Sequence, residues 1–148
     1  MKSWFLKSMG WLAALMIPLC LGGLWSVLMQ ITRSELPWFA LAFGLLAWPC
    51  AVYLAGFGRL VIALGCGLCS LAGMAYAHAL ASATAVSRLL GVDFRESLAE
   101  LGVPMLLDLA WLRCSALELW AMALALLLAV GVGWWRAGRA EIGQESRV

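Results

Sequence analysis

The sequence predicts an all-α integral membrane protein, with four transmembrane helices in a bundle, and three observations lead there. Of 148 residues, 65% belong to the apolar set AVILMFWYC, only 12% are charged, and the mean hydropathy is +0.96. A soluble domain is about 45–50% apolar and about 25% charged. So small a chain also leaves roughly a third of its surface solvated, too much to hide this composition from water. Next, four apolar runs each offer the about 20 residues that a helix needs to cross a hydrocarbon core about 30 Å thick. Last, tryptophans gather at the ends of those runs. A soluble enzyme and a disordered tail are excluded. The net charge of +2 is too small to call for nucleic acid as a partner. The bilayer is the first partner, and the whole chain, 1–148, reads as one membrane domain.

The first span is 9–29, uncharged throughout and preceded by Lys2 and Lys7. Its start resembles a signal peptide, but the run exceeds an h-region of about 7–15 residues and no small-x-small cleavage site follows. Ile17-Pro18-Leu19-Cys20 is a poor lipidation box, because a bulky Leu precedes the cysteine. The run therefore reads as an uncleaved anchor. The second span, 37–57, opens on Pro37, which suits a first helical turn. Pro18 and Pro49 each remove a backbone hydrogen bond and predict kinks. A tight Gly56-Phe57-Gly58-Arg59 turn leads to the third span, 60–80, which holds His78 and no formal charge. The fourth, 115–135, carries Glu118 near its start; in the tail 136–148 that follows, the polar stretch 138–148 is expected to fray.

Between the last two spans lies a long segment, 81–114. Asp93 followed by Glu96 reads as a helix start, with Phe94, Leu98 and Leu101 on one face. Gly102 ends that helix and Pro104 opens another. One or two short interfacial helices are expected in this loop. The alternative is a single tilted helix running from Pro104 into the fourth span.

Four spans put both ends on one side, together with Lys2, Lys7, Arg59, Arg136, Arg139 and Arg147. Arg33, Arg88, Arg95 and Arg113 fall on the other. The positive-inside bias places both termini in the cytoplasm of a bacterial-type inner membrane and the long loop outside. Trp4, Trp11, Trp134 and Trp135 would then mark the inner interface, and Trp25, Trp38, Trp111 and Trp120 the outer one. Trp48 is left at mid-depth. No solenoid-period repeat and no inverted pair of halves is visible.

Small residues recur every four positions. The third span has Gly65, Cys69, Gly73 and Ala77; the fourth has Ala121, Ala125, Ala129 and Gly133. Lipid tails are as apolar as Leu, so membrane helices associate where small side chains let backbones approach. These stripes predict helix contacts, within the chain or with another subunit.

Cys66-Gly67-Leu68-Cys69 is a CxxC, the spacing of thiol oxidoreductases. In its four spans, inward termini and long outer loop, the chain resembles the quinone-linked thiol oxidases of bacterial inner membranes. That resemblance is one of topology. It implies a cysteine pair at the outer surface and another in the loop, where this chain offers only Cys114. The CxxC lies toward the cytoplasmic end of its span, among hydrocarbon that disfavours a thiolate.

The candidate polar site sits near the outer surface. His78, Asp108, Arg113 and Glu118 approach the same ends of the third and fourth spans, and intramembrane ionisable residues are costly enough to suggest function. A His with carboxylates suits a proton or a cation, but no tight metal-ligand spacing is present. No Walker loop, zinc-protease motif, nucleophile elbow or dinucleotide fingerprint occurs, so neither cofactor nor enzymatic activity is expected. The leading expectation is a non-enzymatic subunit, accessory or scaffold of a membrane complex. It would pack its helices against another membrane protein or a second copy of itself. A small oligomeric transporter using His78, Asp108 and Glu118 is the alternative, and a membrane thiol oxidoreductase is third.

Overall fold

A computed structural model describes residues 2–32, 36–55, 57–91 and 93–145; the side chains of 2–7, 95–98, 100, 101, 103, 107, 113 and 140–145 lie outside the described set. Among the described residues the chain is helical and forms no strand beyond one isolated bridge, Ala55 to Phe57. In order, α1 is Lys2–Thr32, a 3-10 turn covers Pro37–Phe39, α2 is Ala40–Leu45, α3 is Ala47–Tyr53, α4 is Arg59–Leu90, α5 is Phe94–Arg113 and α6 is Ala116–Glu145. Three stretches are long and apolar enough to cross a membrane: Ser8–Thr32, Arg59–Leu90 and Ala116–Arg139. The fourth apolar run is the shorter, interrupted segment Pro37–Tyr53.

Side-chain register fixes the directions. Phe39 and Phe43 meet Trp25 of α1, while Cys50 meets Ala14, so the α2–α3 segment runs antiparallel to α1. Gly65 of α4 faces Trp11 and Gly73 faces Pro18, so α4 runs parallel to α1. Gly133 of α6 faces Ala63 and Cys66, and Gly138 faces Arg59, so α6 returns antiparallel to α4. The α2–α3 segment is a wedge touching all three long helices. Its Phe43, Ala47 and Leu54 are fully buried, in two core clusters that together run the length of the bundle.

Proline chemistry shapes two of these elements. Pro18 has no N–H to give the carbonyl of Ala14, four residues back. The Cys50 thiol donates to that carbonyl instead, at 3.3 Å. Pro49 likewise leaves the Leu45 carbonyl without its helical partner, and the helix breaks at Leu46, between α2 and α3. Two α4 side chains serve carbonyls around this break: Ser70 Oγ donates to Phe43 O at 3.2 Å and Cys66 Sγ to Ala47 O at 3.5 Å. Carbonyls freed inside a bilayer have no water to turn to, so neighbouring helices must supply donors.

The segment 81–114 departs from the expected loop. α4 continues unbroken through Ala81 to Leu90, where Gly91 caps it in the left-handed region (φ 68°). At 1.5 Å per residue its 32 residues span about 48 Å, well beyond the hydrocarbon thickness. Ser82 and Ala83 are buried, and α5 packs back along α4. Asp93 caps α5, accepting from the Phe94 N–H at 3.1 Å. Gly102 breaks α5 into two pieces with φ 66°, ψ 163°. A separate break at Cys114–Ser115 divides α5 from α6, so no single helix runs from Pro104 into the fourth span. The tail also differs: α6 remains helical past 135, to Glu145. Of the stretch 138–148 expected to fray, 138–145 continues as helix, and 146–148 lies outside the described residues.

Candidate functional site

Where α4, α5 and α6 meet at one end of the bundle, the structure gathers part of the predicted polar site. His78 sits on α4, only 8% exposed, with its ring edge-on to Trp25 at 5.0 Å between centroids. Its Nδ1 lies 3.9 Å from the sulfur of Cys114, the residue that closes α5. Trp25 is fully buried under Phe39, Phe43 and His78, and its Nε1 has no hydrogen-bond partner among the described residues.

Glu118 is 2% exposed at the start of α6. Its position follows from a reciprocal cap. The Ser115 N–H donates to Glu118 Oε2 at 3.1 Å, and the Glu118 N–H donates to Ser115 Oγ at 3.2 Å. Two of the donors that a helix start leaves orphaned are thereby satisfied. The Ser-x-x-Glu spacing of 115–118 carries that signature in the sequence, where Glu118 was read only as an intramembrane acid. Its other oxygen, Oε1, is buried without a partner among the described residues.

The remaining two predicted members stand on α5. Asp108 is exposed on α5, and Arg113 ends α5 with its side chain outside the described set. Among the described residues no group of three His, Cys, Asp or Glu side chains is arranged to hold a metal ion. The neighbours that sequence reasoning missed, Trp25 and Cys114, come from far along the chain, and no local spacing announces them.

The capping box makes a separable prediction. Glu118→Gln keeps an amide oxygen able to serve the Ser115 N–H, and should unfold within about 0.5 kcal/mol of the parent in mild detergent. Ser115→Ala removes the cap oxygen and should cost about 1 kcal/mol. Equal stability of Ser115→Ala and the parent would show that the box contributes nothing.

The residues of the small stripes are spent inside the chain. Gly65, Cys69, Gly73, Ala77, Ala121, Ala125, Ala129 and Gly133 are all buried. A Cβ on Gly133 would lie 3.0 Å from the Ala63 Cα, and one on Gly22 of α1 would lie 2.5 Å from the Gly73 carbonyl. The CxxC belongs to the same packing. Cys66 and Cys69 are free thiols in one core cluster with Cys50. Beside them, between α1 and α4, lies a cavity of about 670 Å³ lined by apolar groups, including Trp11, Leu15, Phe57 and Leu68.

At the opposite end from His78, arginines stack on tryptophans. Arg59 lies over Trp134 at 4.1 Å, Arg136 over Trp48 at 4.2 Å and Arg139 over Trp135 at 3.9 Å. Trp48, expected at mid-depth, is drawn into this group. Its ring reaches Trp135, 5.6 Å away, and joins the tryptophans at the cationic end. No protein-family model, curated protein or solved structure matches the chain.

Proposed function

We propose that the chain is an integral inner-membrane protein with four spans and cytoplasmic termini, acting as a non-enzymatic accessory or scaffold subunit of a membrane complex. The observation that carries this reading is the apolar surface of the lobe built by the end of α4 and by α5. Leu89 and Leu90 are 84% and 69% exposed at the tip of α4, about 18 Å beyond His78 along the helix. Trp111 and Leu112 are exposed on α5. Large apolar side chains exposed at both ends of this lobe would be covered by a partner protein. The polar groups of the interior support the same reading, since Cys50, Cys66, Ser70 and Ser115 serve carbonyls or a helix cap.

Four spans require that Pro37–Tyr53 also cross. Its 17 residues reach about 25 Å as helix, slightly short of the core, and it runs from the level of Trp25 to that of Gly10. Reporter fusions at the two ends should both give the cytoplasmic signal; opposite signals would remove the four-span reading. For the subunit role, extraction in mild detergent should recover a second protein in fixed stoichiometry, and Leu89→Gln with Leu90→Gln should release it. Recovery of a lone monomer would overturn the role.

One observation favours the transporter alternative: the carboxyl of Glu118 is buried, and its Oε1 has no partner among the described residues. Glu118→Gln preserves the cap, so it should abolish proton-linked flux in vesicles without unfolding the chain. Unchanged flux would end that alternative. The thiol-oxidase alternative lacks comparable support, since Cys66 and Cys69 are 0% and 2% exposed, closed to an exchange partner.

A further inference from the structure

We propose that the cationic end of α6 binds an anionic phospholipid, its phosphate held by Arg136 and Arg139 and one acyl chain laid along α6. Two independent features meet at Trp135. On one side is the stacked pair: Arg139 covers Trp135, Arg136 covers Trp48, and the two indoles touch at 5.6 Å. Both guanidinium groups therefore lie within reach of one headgroup. Stacking uses the flat face of a guanidinium and leaves its in-plane N–H donors free for a phosphate, which the planar fork fits in a bidentate manner. Among the described residues no carboxylate pairs with Arg136 or Arg139. Arg59, at the same end, already commits its Nε to the Trp134 carbonyl at 3.2 Å.

On the other side Trp135 closes a shallow apolar groove of about 420 Å³, lined by Leu124, Leu127, Leu128, Gly131 and Val132. From Leu124 to Trp135 the helix rises about 16 Å, close to half of the about 30 Å hydrocarbon core. The groove thus has the length of one leaflet and, among the described residues, a cationic mouth. Gly131 opens its floor, since a Cβ there would meet nothing within 4 Å. Charge at one end and leaflet length together select a lipid of negative headgroup over a partner helix, which would need no phosphate site. This inference does not depend on the accessory-subunit reading.

The test uses the full chain in mild detergent, offered equal amounts of phosphatidylglycerol and phosphatidylcholine with identical chains, and reads bound lipid by native mass spectrometry. The parent should retain phosphatidylglycerol preferentially. Arg136→Gln with Arg139→Gln should lower its affinity about fivefold per guanidinium removed and leave phosphatidylcholine unchanged, while Arg88→Gln, at the far end of the molecule, should change neither. Gly131→Leu keeps both arginines and fills the groove. It should weaken retention of the long-chain lipid but not of a dihexanoyl analogue, and this holds the test open should the double variant fail to fold. No preference in the parent, a preference surviving in both variants, displacement by inorganic phosphate, or a copurified protein in place of lipid would each overturn the proposal.

Discussion

Gly73→Val should abolish the assembly of α1 on α4. A Cβ at Gly73 would lie 2.6 Å from the Pro18 carbonyl oxygen, 2.7 Å from the Pro18 Cβ and 2.6 Å from the edge of the Phe43 ring. None of these atoms is the loose end of a side chain. The Pro18 ring is tied into the backbone of α1, and Phe43 is wedged between Trp25 and α4. Nor can the two helices simply separate to make room, because Gly22 meets the Gly73 carbonyl in the same contact. In lipid, separation forfeits the close van der Waals approach that holds helices together, and burying Leu elsewhere returns little. Overpacking ordinarily costs about 1–3 kcal/mol, and the rigid neighbours here place Gly73→Val at the upper end or beyond. Denaturation in mixed micelles should show the loss directly. Gly23→Ala and Gly131→Ala, where a Cβ meets nothing within 4 Å, should behave as the parent. A Gly73→Val midpoint equal to that of the parent would mean that the α1–α4 contact does not hold the bundle.

The four apolar runs were legible because a bilayer demands length and hydropathy from a sequence, and both can be read locally. The extent of α4 was not. Ala81–Leu90 is rich in Ala, Ser and Thr, so its hydropathy falls and it resembles a loop. Its helicity comes from continuity with the span below and from burial of Ser82 and Ala83 under α5. Gly102 and Pro104 announced their break correctly, since a glycine at φ 66° followed two residues later by proline is a local device. Pro49 announced trouble but not its location or its remedy, because the donors that answer it, Cys66 and Ser70, stand on another helix. The same division runs through the candidate site. The Ser115–Glu118 box lay within four residues and could be read. The His78, Trp25 and Cys114 contacts join three distant positions and exist only once α1, α4 and α5 have packed. Cys66-x-x-Cys69 has a spacing that suggests thiol chemistry, while in the structure Cys69 lies in the packing stripe and Cys66 donates to the Ala47 carbonyl.

Trp25→Ala should be the most damaging single truncation at the His78 end. Trp25 is fully buried and is the common neighbour of Phe39 and Phe43 from the wedge and of His78 from α4. Removing the indole opens a void between three elements at once. In soluble cores a Trp or Phe to Ala change costs about 3–5 kcal/mol, part of it the lost transfer from water and part the cavity. For a chain whose unfolded helices remain in lipid, most of the transfer part disappears. The cavity and the lost ring contacts remain, which sets the expectation near the lower figure, about 3 kcal/mol. Trp25→Phe keeps an aromatic ring toward His78 but loses both part of the indole volume and the Nε1–H, so it should recover part of the loss. If Trp25→Phe is as unstable as Trp25→Ala, the whole indole is needed to fill this end. If it approaches the parent, the indole acts as a filler on which His78 and the broken second segment are both seated. Thiol labelling supplies a second readout. Cys114 touches His78, so loosening this end should speed its modification in Trp25→Ala. Cys66, buried in the other core cluster, should remain as slow as in the parent.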